Sequence, residues 1–369
     1  MKVLFDYQIF ALQKYGGISR YFYELMNNFY QQKDIEIEFP LYFSNNENIK
    51  SAKFSNHKTF FPNTSFGLKN NITRRLNKKN LKFSSELIAR QNYDLMHPTY
   101  YETYFIELLG NKPFVLTIHD MTYEVFPNLF GTNDKTAEYK KFLAAKAGKI
   151  ITISQNTKKD IIKFYNIEES KIIITPLANS LSPENSETPK INLPQKYLLY
   201  VGSRKAYKNF GNFLVASKTI LNEFNDIFIV CAGGGNFSKE EQYKIKELGL
   251  TNKVKHFSIN DQSLQYFYSN ALAFIFPSLY EGFGIPILEA FASECPVLLS
   301  NTSSFPEVAG DAGLYFDPEN VESIQDAIKK IITNEKARKE LISAGSIKLK
   351  EYSWEKTAAQ TKLVYESVL

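Results

Sequence analysis

Two carboxylates, Glu281 and Glu289, stand eight positions apart on either side of the start of a predicted helix, and the tripeptide Gly282-Phe283-Gly284 directly follows the first of them. An apolar run before them predicts a buried parallel strand. Ile285–Ala292 predicts a helix with a proline in its first turn, where a missing N–H costs nothing. The glycines allow the backbone to approach a ligand, and a helix N-terminus offers unpaired N–H groups to an anion. The segment therefore predicts a phosphate site beside two carboxylates.

A cluster of cations follows another predicted strand, Tyr197–Val201. Gly202 permits a turn there, and Arg204, Lys205 and Lys208 come within the next six residues. Fixed cations stabilise charge that accumulates on a departing phosphate group. The position after a strand favours a diphosphate site, although a solvated basic loop would have the same composition.

Residues 277–307 resemble the Glu-x(7)-Glu signature of the retaining glycosyltransferases of family 4, which have the two-domain GT-B fold. The resemblance implies that Glu281 and the backbone of Gly282-Phe283-Gly284 contact the transferred sugar. It also implies that Glu289 binds the ribose of the nucleotide. A carboxylate suits vicinal hydroxyls because it only accepts hydrogen bonds, and these charge-assisted bonds are strong.

The same residues have a plainer interpretation and one departure from the family. Taken alone, Glu281 would serve as a helix cap and Glu289 as a solvated helix residue. The family usually has glycine where this chain has Glu294, at the predicted end of the helix. If that position is left-handed, a residue other than glycine costs on the order of 1 kcal/mol.

The resemblance extends to two further loops. Arg204 and Lys208 match the positions that clamp the donor diphosphate, and Lys205 would be able to replace Arg204 there. His119 matches a histidine close to the transferred sugar. A lone histidine is often structural, but His119 ends a predicted strand, where open α/β sheets bind ligands.

The opening loop of the chain resembles the glycine-rich first loop of the family. Gly16 and Gly17 would approach the phosphate or the reacting sugar through their backbone, and Arg20 would face the acceptor pocket. Tyr100 and Tyr101 belong to a tyrosine-rich stretch after another predicted strand. Together with Tyr104 they are candidates to stack on an acceptor sugar, and core packing is expected for at least two of these three tyrosines.

Alternating apolar runs and amphipathic stretches predict an α/β chain with mostly parallel sheets. The resemblance implies two Rossmann-like domains facing each other across a cleft, and a C-terminal helix that crosses back to the N-terminal domain. The predicted divisions are residues 1–180, a linker over 181–195, 196–353 and the helix 354–369. The predicted strands are Lys2–Phe5, Ile35–Tyr42, Asp94–His97, Phe114–His119, Lys149–Ser154, Lys171–Thr175, Tyr197–Val201, Ile227–Ala232, Leu272–Phe276, Val297–Ser300 and Gly313–Phe316.

Composition limits the class of protein. The chain has 369 residues, which suits two domains, and only two cysteines, which argues against a disulfide framework. No run of 18 apolar residues and no signal-peptide pattern occurs, so a cytoplasmic protein is expected. The four histidines are dispersed and no Asp-x-Asp pair is present. We therefore expect neither a metal nor a resident cofactor, and the nucleotide sugar would be a substrate.

The most basic stretch is Gly67–Arg90, with seven basic residues and one acidic residue. Interleaved apolar residues make an amphipathic helix plausible, which predicts binding to an anionic membrane surface on the inner face of the cytoplasmic membrane. An ordinary solvated helix with a core-facing stripe is equally compatible with the pattern. Nucleic acid is not expected as a partner, because the diphosphate loops already account for the phosphate-binding residues.

The function that the resemblance implies is transfer of a hexose, with mannose favoured, from a GDP- or UDP-linked sugar to a saccharide or lipid-linked acceptor. The N-terminal loops are similar to those of bacterial enzymes that build O-antigen or capsule. Two alternatives stay open: a nucleotide-sugar 2-epimerase on the same fold, and a catalytically silent saccharide- or nucleotide-binding module. Epimerisation without an acceptor would reveal the first, and binding without turnover the second.

Overall fold

The computed structural model describes residues 1–60, 66–181 and 191–369, without the side chains of residues 66–71 and 261–262. The chain divides into two compact units. Unit 1 contains Met1–Leu177 and Trp354–Leu369, and unit 2 contains Ala178–Ser353. Residues 182–190 of the predicted linker 181–195 lie outside the described part of the chain.

Strands and helices alternate along both units. Those of unit 1 are β1 (Lys2–Phe5), α1 (Gln8–Leu12), α2 (Gly17–Gln32), β2 (Glu36–Glu38), α3 (Phe66–Ala89), β3 (Leu95–His97), β4 (Val115–Ile118), α4 (Thr122–Val125), α5 (Thr136–Lys146), β5 (Lys149–Thr152), α6 (Gln155–Tyr165) and β6 (Ile172–Ile174). Those of unit 2 are β7 (Lys196–Val201), α7 (Phe210–Glu223), β8 (Ile227–Ala232), α8 (Lys239–Glu247), β9 (Val254–Phe257), α9 (Asp261–Ser269), β10 (Ala273–Phe276), α10 (Ile285–Ala292), β11 (Val297–Ser300), α11 (Phe305–Ala309), β12 (Gly313–Phe316), α12 (Val321–Thr333) and α13 (Glu335–Leu349). The last helix, α14 (Trp354–Glu366), returns to unit 1.

Unit 1 contains two three-stranded parallel sheets, with the orders β2-β1-β3 and β4-β5-β6. A bridge between Met96 and Phe114 joins β3 to the segment that leads into β4. The tyrosine-rich stretch follows the carboxyl end of β3, and His119 follows that of β4. The glycine-rich loop lies between α1 and α2, after β1.

Helix α14 packs into unit 1, which confirms the predicted crossing of the C-terminal helix. Ala358 and Tyr365 are fully buried. The Tyr365 hydroxyl lies 2.6 Å from His97 Nδ1, and His97 Nε2 lies 2.8 Å from Thr117 Oγ1. Thr357 also donates to the carbonyl of Pro176 at 2.6 Å. Polar bonds to β3 and to the segment after β6 therefore fix the helix.

Unit 2 is built on a six-stranded parallel sheet with the order β12-β11-β10-β7-β8-β9. The chain enters at β7, moves outward to β9, and returns to β10 on the other side of β7. The strand order therefore reverses between β7 and β10. In open α/β sheets, ligands bind outside the carboxyl ends of the strands at such a switch point.

The continuous apolar runs of the sequence become strands that are buried on both faces, as is usual in parallel sheets. All four residues of β10, for example, are buried. The alternating strand β9 was not predicted, because it carries Lys255 and His256 among its four residues and lies at the sheet edge. The predicted strand Ile35–Tyr42 is wrong in its length, since β2 ends at Glu38 and is followed by Phe39 and Pro40, which has no N–H to donate.

Helix α3 contains most of the basic stretch. Its fully buried positions include Asn80, Ser84 and Ile88, which are spaced four residues apart and face the rest of unit 1. Asn80 accepts from the N–H groups of Tyr42 and Phe43, both at 3.0 Å, and donates to the carbonyl of Phe43 at 2.8 Å. The exposed face carries basic side chains, namely Arg74, Arg75, Lys78, Lys79 and Lys82, and the exposed Arg90 follows the end of the helix.

Candidate active site

The loops that follow β7 and β10 meet at the switch point of the unit 2 sheet. The N–H of Leu279 donates to the carbonyl of Tyr207 at 2.8 Å. Lys208 Nζ lies 2.5 Å from Glu281 Oε1, and these two side chains are 17% and 14% exposed. Ser278 Oγ donates to the same carboxylate oxygen at 2.8 Å. Two residues that the sequence assigns to different parts of a donor therefore form one ion pair.

The backbone around Lys208 holds its ammonium over the end of β10. Lys208 closes a short 3₁₀ segment, and Asn209 after it is left-handed, with φ 57°. The Asn209 side chain donates to the carbonyl of Pro318 at 2.7 Å. Lys208 Nζ lies 5.7 Å from the centre of the Phe276 ring, within the range of a cation–π contact.

Arg204 contacts protein groups, and its side chain is only 2% exposed. It bonds Glu241 at 2.8 Å and donates to the carbonyls of Gly233, Gly235 and Asn236 at 3.3, 2.7 and 3.1 Å. The guanidinium thereby closes the glycine-rich loop after β8. In this arrangement Arg204 orders a loop, whereas Lys205 on the same turn is exposed. A direct Arg204 contact with a diphosphate stays a prediction.

Three consecutive left-handed glycines after β8 explain that closure. Gly233, Gly234 and Gly235 have φ values of 74°, 72° and 77°. A Cβ on Gly234 would lie 2.1 Å from the carbonyl oxygen of Gly202, so only glycine allows the two loops to touch. The sequence shows this run but gives no sign that it binds Arg204.

Glu289 lies on α10 and accepts a hydrogen bond from the Tyr268 hydroxyl at 3.0 Å. Tyr268 belongs to α9 and is fully buried. Burial, followed by the charge of Glu289, raises the pKa of Tyr268 well above its usual range, so the hydroxyl stays protonated and donates. Sequence reasoning missed Tyr268, because a tyrosine in an amphipathic helix 21 positions upstream is indistinguishable from a core residue.

The loop before α10 has the backbone that its sequence predicts. Gly284 has φ 99°, and a Cβ there would lie 3.1 Å from Ile287 and 3.2 Å from Phe305. Phe283 is buried, with its ring packed edge-to-face against Tyr352 at 5.7 Å. The Phe283 side chain is therefore used for packing, and the backbone of Gly282-Phe283-Gly284 is what this loop can offer to a ligand.

The glycine-rich loop of unit 1 is organised by Gln13. A Cβ on Gly16 would lie 2.1 Å from Gln13 Oε1, and that oxygen accepts from the N–H of Ser19 in the first turn of α2. Ser19 in turn donates to the carbonyl of Gly16 at 3.0 Å. Gly17 is exposed and Arg20 is half-exposed. Nothing in the structure tests their predicted contacts with a donor or an acceptor.

His119 follows β4 and is buried, with 6% of its surface exposed. Burial lowers the pKa of His119 to about 4; the neighbouring Asp120 opposes this effect and Lys140 adds to it. Among the described residues, no group hydrogen-bonds its Nε2. A buried polar atom without a partner costs free energy, so His119 Nε2 is a candidate to bind a ligand, and its contact with a sugar stays a prediction.

Tyr101 lies beneath His119, which corrects its predicted role. It is 6% exposed, its hydroxyl accepts from the N–H of His119 at 3.4 Å, and Lys140 Nζ lies 5.6 Å from its ring. A ring covered in this way offers no face to an acceptor. Tyr100 is half-exposed and packs against Tyr101 with 4.6 Å between ring centres, so it alone of the two has surface to offer.

Two features of the described residues concern metal ions and membranes. Within the described ranges, no group of three or more His, Cys, Asp and Glu side chains is placed to hold a metal ion. None of the helices described here has both the length and the apolar character needed to span a bilayer. Metal independence and membrane-surface binding remain predictions.

Comparisons with known proteins agree with this architecture. Residues 15–178 match the model described as "Glycosyltransferase Family 4", and residues 182–347 match "Glycosyl transferases group 1". The chain is 31% identical over 267 residues to O-antigen chain mannosyltransferase B of Escherichia coli, covering 68% of this chain and 70% of that protein. It is 32% identical over 227 residues to O-antigen chain mannosyltransferase RfbU of Salmonella typhimurium, covering 61% of this chain and 62% of that protein.

Among solved structures, sucrose-phosphate synthase from Thermosynechococcus elongatus superposes with a TM-score of 0.76 at 18% identity, covering 100% of this chain and 98% of that one. This likeness shows the fold, which is GT-B as the sequence predicts. The two family models, which divide the chain much as its compact units do, and the identity to O-antigen chain mannosyltransferase B over 68% of this chain establish the class. The chain is a member of the family 4 glycosyltransferases.

Proposed function

We propose that this glycosyltransferase moves a hexose, with mannose favoured, from a GDP- or UDP-linked sugar to a saccharide or lipid-linked acceptor in the synthesis of a cell-surface polysaccharide. The proposed reaction retains the anomeric configuration. The observation that carries the proposal is the Lys208–Glu281 pair at the switch point. The names of the two O-antigen mannosyltransferases support the choice of mannose.

The chemistry divides between the two charges of that pair. Lys208 and the N-terminus of α10 neutralise the negative charge that accumulates on the departing diphosphate. Glu281 accepts hydrogen bonds from hydroxyls of the transferred sugar, and Glu289, oriented by Tyr268, accepts from the ribose. The acceptor hydroxyl attacks the anomeric carbon from the face of the leaving group. A phosphate oxygen takes its proton as the bond to the diphosphate breaks, so no protein base is required.

A screen of GDP- and UDP-sugars tests the proposal. The chain should be stabilised by one nucleotide class, should hydrolyse the matching sugar slowly, and should transfer it to a saccharide acceptor with retention, as read by NMR of the product. A 2-epimerised nucleotide sugar formed without acceptor, or binding without any turnover, would contradict it.

The proposal includes a reaction that needs no divalent ion, because fixed cations and a helix N-terminus act on the diphosphate. Transfer should therefore survive excess EDTA. Complete loss of transfer, restored by manganese or magnesium, would contradict this part while leaving the transferase assignment intact.

We further propose that the enzyme works at the inner face of the cytoplasmic membrane, held there by the exposed basic face of α3. The supporting observation is that Asn80 and Ser84 dock the helix on unit 1 while Arg74, Lys78 and Lys79 stay exposed. Each such cation adds on the order of 1 kcal/mol of attraction to an anionic bilayer.

A further inference from the structure

The segment after β11 holds the Glu281 loop through three consecutive residues. Ser303 Oγ accepts from the N–H of Glu281 at 3.0 Å and donates to its carbonyl at 2.6 Å. Ser304 Oγ lies 3.0 Å from the carbonyls of both Glu281 and Phe283. The Phe305 ring lies against Gly284, 3.2 Å from where a Cβ would be. The whole stretch from Glu281 to Gly284 is thereby fixed from one side.

The sheet explains why these segments meet. β10 and β11 are adjacent and parallel, so their carboxyl ends lie side by side. The loop after β10 carries Glu281, and the loop after β11 carries Ser303 and Ser304. Ser304 is fully buried, so its hydroxyl serves the loop rather than solvent.

Ser303 has a left-handed backbone, with φ 59°. Glycine adopts this conformation without steric penalty, whereas serine does not. Its hydroxyl, however, satisfies both backbone groups of Glu281, which glycine would leave without that partner. A strained residue that bonds one functional residue is the kind of outlier from which a role can be inferred.

We propose that Ser303 and Ser304 are positioning residues for Glu281. They fix the backbone from which Glu281 reaches the transferred sugar, while the nucleotide is bound by other groups. This inference rests on the proposed function, in which Glu281 contacts the sugar. It adds two hydroxyls that the Glu-x(7)-Glu signature does not contain.

Ser303→Gly separates a positioning role from a purely structural one, because it removes the hydroxyl and also relieves the left-handed strain. We expect kcat to fall by about tenfold, the scale of one hydrogen bond, because Glu281 N–H loses its Ser303 acceptor while Ser304 still bonds the Glu281 carbonyl. The Kd for nucleoside diphosphate should stay unchanged within about twofold. The thermal midpoint should stay the same or rise. Ser304→Ala should lower kcat in the same way.

Glu294→Gly is the matched control. In the described part of unit 2, the non-glycine residues with a left-handed backbone are Asn209, Glu294 and Ser303. Glu294 has φ 53° and lies exposed after α10. Relief of strain there should raise the thermal midpoint and leave kcat unchanged. A loss of kcat in Glu294→Gly equal to that in Ser303→Gly would overturn the proposal.

A double-mutant cycle tests whether Ser303 acts through Glu281. In a Glu281→Gln background, Ser303→Gly should change kcat by less than about twofold, because coupled residues are not additive. The same tenfold loss in both backgrounds would refute the coupling. Hydrogen exchange of the amides of residues 281–284 gives a readout without turnover: exchange should accelerate in Ser303→Gly, and unchanged exchange would overturn the proposal even if no sugar donor is turned over.

Discussion

Lys208 and Glu281 form the ion pair at the centre of the candidate site of unit 2. Lys208→Ala should weaken binding of nucleoside diphosphate and raise the transition-state free energy by about 2–4 kcal/mol. The reason is that Lys208 is the cation held nearest to Glu281 at the switch point. Calorimetry and kcat/KM measure the two effects.

Lys196→Ala is the control for that variant. Lys196 lies at the opposite end of β7, where it pairs with Asp226 at 2.6 Å and is half exposed to solvent. Its removal should change neither nucleotide affinity nor turnover. Unchanged kinetics in a folded Lys208→Ala protein would remove Lys208 from the site.

The two carboxylates of the signature should fail in different ways. Glu281→Gln should lower kcat more than nucleotide affinity, because Glu281 is assigned to the sugar. Glu289→Ala should weaken binding of the nucleotide, because Glu289 is assigned to the ribose. Tyr268→Phe should cause part of the same loss of affinity, because it removes the hydroxyl that orients the Glu289 carboxylate. Measured Kd and kcat values in the reverse pattern would mean that the roles are exchanged.

The buried His119 predicts an acid-sensitive unit 1. Its folded pKa of about 4 lies below the usual 6.5, so the fold favours the neutral form. Stability is then full above pH 6.5 and declines as the pH falls toward 4, by about 2 kcal/mol at pH 5. His119→Gln should flatten this part of the profile. Denaturant titrations at several pH values, followed by the fluorescence of Trp354, the single tryptophan, report on unit 1. If the free energy of unfolding changes equally with pH in the wild type and in His119→Gln, the prediction is contradicted.

At the scale of one element, α3 is tested by its exposed charge. Replacing Arg74, Arg75, Lys78 and Lys79 with Ser should release the protein from anionic liposomes at moderate salt, since each cation contributes on the order of 1 kcal/mol within a Debye length. Transfer to a soluble acceptor should continue, because the proposed diphosphate site lies in unit 2.

A variant with the same loss of charge in unit 2 is the control: Lys239, Lys246, Lys336 and Lys339 to Ser. These lysines are exposed, and their removal should leave liposome binding unchanged. If the unmodified protein fails to sediment with anionic liposomes even at low salt, α3 is an ordinary solvated helix.

The same helix shows where sequence reasoning stops. Its apolar residues suggest the stripe that faces the core, yet fully buried positions include Asn80 and Ser84. These polar residues are buried because their partners, the backbone of Tyr42 and Phe43 and the hydroxyl of Tyr104, come from distant segments. By contrast, α10 and most strands were predictable, since a continuous apolar run beside glycine or proline defines them locally.

The candidate site likewise contains residues that the sequence predicts and contacts that it does not. Glu281, Glu289 and Lys208 are recognisable because a short motif carries each of them. The contacts of Arg204 are not, because Glu241 and the glycine carbonyls that bind it lie 29–37 positions further along the chain. The buried position of Tyr101 likewise depends on packing under His119 and beside Lys140.

At the scale of the whole molecule, α14 should contribute to the stability of unit 1 and not to that of unit 2. Tyr365→Phe deprives the fully buried His97 of its 2.6 Å hydrogen bond, at a cost of roughly 1–3 kcal/mol. Trp354 fluorescence should show the loss, and nucleotide binding by unit 2 should persist. Tyr243→Phe, at a side chain 72% exposed on α8, is the control and should have no effect. A Tyr365→Phe protein as stable as the wild type would contradict this account.

Unit 1 is made of two pieces of chain that are separated by all of unit 2. During synthesis the ribosome therefore releases β1 through β6 long before the helix that completes their core. Domains usually fold in the order in which they emerge. Here the second unit to emerge is the first that can finish folding, and the nascent first unit must wait, with the surface that Ala358 and Tyr365 will cover still open to chaperones.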